Sequence, residues 1–78
     1  MTITPASVRA LRTASGLTQR QMAHCLGMSE RGLQDWERGV NRPHPAALQL
    51  YAMIMLARNR ITEAEAAPFM RWDAWDGV

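Results

Sequence analysis

Gly27-Met28-Ser29-Glu30-Arg31-Gly32-Leu33-Gln34-Asp35-Trp36-Glu37-Arg38-Gly39 is the stretch of this sequence that decides the fold. It begins with a glycine and a serine, which are typical of a turn and of a helix N-cap. At about 100° per residue, Leu33 and Trp36 fall on one side of the helix that follows, whereas Arg31 and Arg38 fall on the other. The pattern predicts a short helix that packs through one apolar edge and exposes a polar face.

A second short helix is predicted immediately before that turn. Thr18 and Gln21 have the spacing of a capping box, in which each side chain caps the backbone N–H of the other residue. Met22 and Leu26 are apolar positions of this helix, and Gly27 ends it. Two short helices on either side of a glycine turn form a helix-turn-helix pattern.

Three further helices complete the predicted architecture. Threonine caps mark two helix starts, at Thr4-Pro5 and at Thr62. We expect Pro68 to interrupt the last helix, and the conformation beyond it stays open between a helix and an extended arm. The predicted helices span residues 5–15, 18–26, 29–37, 45–58 and 62–67. The predicted fold class is therefore all-α, a compact bundle of five helices.

The composition indicates one small domain whose positive charge lies in its first half. The chain has 78 residues and a formal net charge of +2, and all nine basic residues are arginines. Residues 1–45 hold six of these arginines and only three of the seven acids. Because the basic residues lie in the helix-turn-helix half, this distribution is typical of nucleic-acid binding. Arginine suits forked contacts to phosphates and guanine edges, but codon usage explains the absence of lysine equally well.

Other classes of function have no support in the sequence. Cys25 is the only cysteine, so no intramolecular disulfide can form, and no export signal or membrane-spanning run is found. We therefore expect a cytoplasmic chain that has no membrane partner. There are no paired carboxylates, Ser/His/Asp set or phosphate-binding glycine loop, so we expect neither an enzyme nor a cofactor. His24, Cys25 and His44 lack the spacing of metal ligands, and no metal site is expected.

Two opposite charges border the apolar seam between the first and third predicted helices. Glu37 lies about 40° from Leu33 on the helix wheel, and Arg12 has the same relation to Val8. An unpaired charge at a half-buried position is costly. The sequence therefore predicts a structural ion pair between Arg12 and Glu37.

The full motif is Thr18-Gln19-x-x-x-Ala23-x-x-x-Gly27-Met28-Ser29-x-x-x-Leu33-x-x-Trp36-Glu37-x-Gly39. It resembles the Cro and phage-repressor class of helix-turn-helix proteins, often called the XRE family, over roughly residues 6–56. The resemblance implies a lambda-repressor-like bundle and a DNA-binding transcription regulator. Residues 1–61 would form the DNA-binding domain, and residues 62–78 a C-terminal tail used for dimerisation or packing.

The third helix would carry the contacts to DNA bases. In helix-turn-helix proteins the second helix of the motif enters the major groove with its N-terminal residues at the base edges. The candidate base contacts are Ser29, Glu30, Arg31, Gln34 and Asp35. Arg31 is the first choice because arginine pairs bidentately with guanine. Asp35 could instead hold the Arg31 guanidinium, and Glu30 could instead favour the helix N-terminus.

Contacts to the DNA backbone are expected on either side of the third helix. The N-terminus of the second helix offers backbone amides to phosphates, and the family uses the position of Gln19 in this way. The loop after the third helix adds polar and basic side chains. The candidate backbone contacts are Thr18, Gln19, Arg20, Arg38, Asn41, Arg42 and His44. The alternative for each surface arginine is a solvated charge without a DNA contact.

A homodimer is expected, because one such module contacts only a few base pairs. Two copies would bind an inverted repeat in double-stranded DNA, with half-sites about 34 Å apart. The fourth helix is apolar on nearly every side, and aromatic residues follow in the tail. The candidate dimer-interface residues are Tyr51, Met55, Phe69, Trp72 and Trp75. The alternative is that these residues fill the core of a monomer.

The sequence favours a homodimeric repressor of a small operon, with its own operon as one candidate. The family resemblance and the small size imply a phage or mobile-element origin. The phrase Asn41-Arg42-Pro43-His44-Pro45 also resembles small autoregulators and antitoxins of the same class. An antitoxin, whose C-terminal surface binds a toxin partner, is therefore the alternative function.

Overall fold

The structure, a computed structural model, describes residues 3–70 of the chain. This range contains five helices. They are α1 (Pro5–Ser15), α2 (Gln19–Leu26), α3 (Glu30–Arg38), α4 (Pro45–Ala57) and α5 (Glu63–Met70). No strand is present within that range. The predicted all-α bundle with a helix-turn-helix motif is confirmed. No helix among these residues is long and apolar enough to cross a membrane.

The helix-turn-helix is built by local capping. Thr18 Oγ1 accepts from the Gln21 backbone N–H at 3.1 Å, and Gln21 Oε1 accepts from the Thr18 N–H at 2.9 Å. Gly27 ends α2 with φ at +69°, a conformation that a side chain would strain. Ser29 Oγ then accepts from the Gly32 N–H at 3.1 Å and starts α3. These caps define where α2 ends and α3 begins.

The core contains residues from every helix. The largest fully buried side chains come one from each of the first four helices: Val8, Met22, Leu33 and Leu48. From α5, Ala66 and Phe69 are also buried. The tail predicted from residue 62 therefore begins as a packing segment, with α5 against α4 and α1.

Three of the five candidate dimer-interface residues lie in the core of the single chain. Tyr51, Met55 and Phe69 are 3%, 5% and 3% exposed, so they fill the core and offer no surface to a partner. The reason is that α4 packs between α2 and α5 and must supply the centre of a small core. The other two candidates, Trp72 and Trp75, lie outside the described residues.

The face of α4 turned away from the core is also apolar. Leu50, Met53 and Ile54 are 58%, 51% and 42% exposed. In sequence they alternate with the buried positions of α4. This is expected for a helix that is apolar on nearly every side but packs against the core along only one side.

The interruption predicted at Pro68 is wrong, because α5 continues through this residue to Met70. A proline inside a helix costs about 3 kcal/mol through a lost hydrogen bond and a clash. Ala66 and Phe69, on either side of it, are buried in the core. Their tertiary packing holds the helical path against the local preference of the proline.

Replacement of a buried and an exposed leucine of α4 separates core packing from surface effects. We expect Leu48→Ala to lower the free energy of unfolding by about 2–5 kcal/mol, because it leaves a cavity in the core. Leu50→Ala, the control, should change it by at most about 0.5 kcal/mol when unfolding is measured at protein concentrations low enough for the chain to be monomeric, because Leu50 is 58% exposed in the single chain. Urea unfolding of both variants measures this, and equal losses would contradict the placement of the α4 faces.

Candidate nucleic-acid interface

A buried ion pair connects α1 to α3 below the candidate DNA-binding face. Arg12 Nε donates to Glu37 Oε2 at 2.8 Å, and Arg12 Nη2 donates to Glu37 Oε1 at 3.2 Å. The Glu37 side chain is 2% exposed and that of Arg12 is 19% exposed. The structure thus contains the predicted pair in the two-pronged geometry that makes arginine–carboxylate pairs strong.

Glu37 has two further partners. Gln19 Nε2 donates to Glu37 Oε1 at 3.2 Å, and Arg9 Nε lies 3.7 Å from the same oxygen. Burial alone would raise the pKa of Glu37, but the hydrogen bonds from Arg12 and Gln19 and the charges of Arg12 and Arg9 outweigh it and lower that pKa. The carboxylate is therefore held in its charged form.

Sequence reasoning missed Arg9. Its Nη2 also donates to the backbone carbonyl of Glu37 at 3.3 Å, so it contacts the C-terminal turn of α3. Arg9 precedes Arg12 by three residues and therefore shares its side of α1. That spacing was the available signal, but it does not distinguish a partner of Glu37 from a solvated arginine.

The exposed face of α3 carries two arginines around one acid. The side chains of Arg31 and Arg38 are 76% and 60% exposed, and Asp35 Oδ1 lies 3.4 Å from Arg31 Nε and 3.8 Å from Arg38 Nη1. Of the two roles left open for Asp35, the structure shows the contact to Arg31. The Asp35 side chain is 17% exposed, but its two partners are solvated, and pairs to exposed cations of this kind contribute about 0–1 kcal/mol.

The other candidate base contacts have different surroundings. Glu30 is exposed in the first turn of α3, where an acid favours the helix N-terminus. Ser29 uses its side-chain oxygen as the N-cap. Gln34 is half-buried, and its Nε2 lies 3.4 Å from Gln19 Oε1. Arg31 is thus the exposed arginine of the predicted set, with a side chain that is 76% exposed, and Gln34 faces α2.

Most of the candidate backbone contacts are exposed. The exposed ones are Thr18, Arg20, Arg38, Asn41, Arg42 and His44. The Thr18 hydroxyl takes part in the capping box, whereas the Gln19 side chain is half-buried between Glu37 and Gln34. A phosphate at this end of α2 would therefore meet backbone N–H groups more readily than the Gln19 amide.

Two short helices joined by a capped glycine turn, with an exposed arginine-bearing face on the second, define a DNA-binding helix-turn-helix module. A helix-turn-helix family model matches residues 8–65. The chain belongs to this family, of the XRE type, and is a DNA-binding transcription regulator. No curated protein and no solved structure is significantly similar to it.

Removal of the buried carboxylate tests the anchoring of α3. We expect Glu37→Ala to lower the free energy of unfolding by about 1–3 kcal/mol at neutral pH, since Arg12 and Gln19 lose their acceptor. Asp35→Ala, which removes the partner of two exposed arginines, should have a much smaller effect. Thermal and urea unfolding measure both.

The same variant also has an expected pH dependence. Because folding lowers the pKa of Glu37, its contribution is fully present above the ordinary value of 4.5 and is lost as the pH falls through the folded-state pKa. The difference between wild type and Glu37→Ala should therefore shrink below pH 4.5. A difference that stays constant in acid would show that the charge of Glu37 does not stabilise the fold.

Proposed function

We propose that this regulator is a sequence-specific repressor that binds operator DNA as a homodimer, with α3 in the major groove. The observation that carries this proposal is Arg31. Its side chain is 76% exposed on the face of α3 opposite the buried Leu33, and a weak contact to Asp35 orients it. An exposed arginine in the first turn of such a helix can pair with guanine O6 and N7.

The contacts around Arg31 would position α3 in the groove. Backbone N–H groups at the start of α2 would bind one phosphate, and Arg42 and His44 in the loop after α3 would bind the neighbouring DNA backbone. Repression follows in this proposal because a dimer on an operator excludes other proteins from the same DNA.

The homodimer in this proposal uses α4. Leu50, Met53 and Ile54 form an exposed apolar face on a helix whose opposite face is already buried. Contiguous exposed apolar side chains on a small domain favour an interface. In this proposal they form the interface in place of Tyr51, Met55 and Phe69, which are buried in the core.

Selection of duplexes from a random DNA pool tests the base contact. We expect the wild type to enrich an inverted repeat with half-sites about 34 Å apart. Arg31→Ala should lose about 1–3 kcal/mol of discrimination against the wrong base at one base pair of each half-site. Arg58→Ala, which removes the same charge from the end of α4, is the control and should retain the motif. If neither protein enriches a motif, the helix-turn-helix is not a specific DNA reader, and the tail should be tested for a protein partner.

A charge on α4 tests the dimer. Ile54→Glu should convert the protein to a monomer and weaken binding to the full repeat by about 100-fold, because two linked half-sites no longer act together. Ala67→Glu places the same charge on an exposed position of α5 and is the control. Sedimentation and DNA titration measure both effects. A dimer that survives Ile54→Glu unchanged would place the interface elsewhere.

A further inference from the structure

A continuous set of hydrogen bonds runs from the buried ion pair to Gln34, on the flank of α3 nearest α2. Arg12 donates to Glu37, Gln19 Nε2 donates to Glu37 Oε1 at 3.2 Å, and Gln34 Nε2 donates to Gln19 Oε1 at 3.4 Å. We call the hydrogen-bonded residues Glu37, Gln19 and Gln34 the Glu37–Gln19–Gln34 chain. It joins the core to one of the candidate base contacts.

The direction of these hydrogen bonds is set by Glu37. A carboxylate has only acceptor atoms, and arginine holds this one in its charged form. Gln19 must therefore turn its amide nitrogen towards Glu37, which leaves its carbonyl oxygen for Gln34. Gln34 must then turn its own nitrogen towards Gln19. Neither amide can be reversed without placing two oxygens or two N–H groups face to face.

This direction leaves one acceptor and one donor of Gln34 available. Within residues 3–70, no group donates to Gln34 Oε1. Its Nε2 carries two hydrogens, of which Gln19 accepts one. Gln34 is half-buried at the flank of α3 nearest α2, about 60° from Arg31 on the helix wheel.

We propose that Gln34 selects adenine in the operator and that Gln19 and Glu37 are positioning residues for this selection. Adenine presents an N6 amino donor beside an N7 acceptor in the major groove, which matches the Oε1 and the remaining N–H of Gln34. Guanine presents two acceptors there, so its O6 would face Gln34 Oε1. The inference rests on the proposed function, in which α3 occupies the major groove.

Two substitutions alter which groups donate and which accept in the Glu37–Gln19–Gln34 chain, each in a different way. Gln19→Met keeps a side chain of similar length but cannot hydrogen-bond to Glu37 or Gln34 in this way, so the Gln34 amide becomes free to turn. Glu37→Gln offers an N–H to Gln19 Oε1 while its oxygen still accepts from Arg12. Both glutamines can then turn over, and Gln34 would present N–H groups that match guanine O6 and N7.

The experiment compares adenine with guanine at each base pair of the duplexes that the wild type, Gln34→Ala, Gln19→Met and Glu37→Gln select. A variant that folds poorly binds every duplex less well by the same factor. The ratio of affinities for adenine and guanine is unchanged by that loss, and therefore reports on the site alone. Gln49→Met, the same substitution on α4, is the control.

We expect the wild type to prefer adenine over guanine about tenfold or more at one position of each half-site. Gln34→Ala should abolish this preference, Gln19→Met should reduce it several-fold, and Glu37→Gln should reduce or reverse it, whereas Gln49→Met should leave it intact. The inference alone is overturned if the wild type enriches a motif that has no adenine preference. It is also overturned if Gln34→Ala leaves the adenine preference unchanged, or if Gln19→Met and Glu37→Gln both do. Failure of the wild type to enrich any motif overturns the proposed function as well.

Discussion

The ion pair between Arg12 and Glu37 is the interaction on which the rest of the structure depends. A buried carboxylate without partners is strongly unfavourable, so α3 is stable only where Arg12 reaches Glu37. Gln19 adds α2 to the same carboxylate. Three helices therefore meet at one charged group, and their relative positions determine how the face with Arg31 is presented. The apolar core supplies most of the stability, but it is much less selective about geometry than a two-pronged hydrogen bond.

Local signals made most of the helical architecture predictable. Thr18, Gly27 and Ser29 act through neighbours within four residues, so their pattern can be recognised without knowledge of the fold. Pro68 is the opposite case. The local preference of this proline is to end a helix. The helix continues nevertheless, because Phe69 is buried where α5 packs against α4 and α1. The sequence also does not show which face of α4 is buried, because both faces are apolar.

The candidate site divides in the same way. The exposure of Arg31 follows from its angle to Leu33 on one helix, and the pair of Arg12 and Glu37 follows from two such angles. The hydrogen bonds of Gln19 to Glu37 and Gln34 join residues on two helices. A neutral amide leaves no periodic or electrostatic signal in the sequence, and only the packed structure brings these groups together.

The weak contact of Asp35 with Arg31 and Arg38 has a consequence for how such a regulator diverges. The two arginine side chains contribute little to folding, because they are 76% and 60% exposed and solvent screens their pairs with Asp35. Under the proposed function, substitutions at Arg31 therefore give descendants of this chain new operators while the chain remains folded. Glu37 lacks that freedom, since any replacement disturbs the scaffold. Within a single helix, positions open to evolutionary change stand next to one that is closed to it.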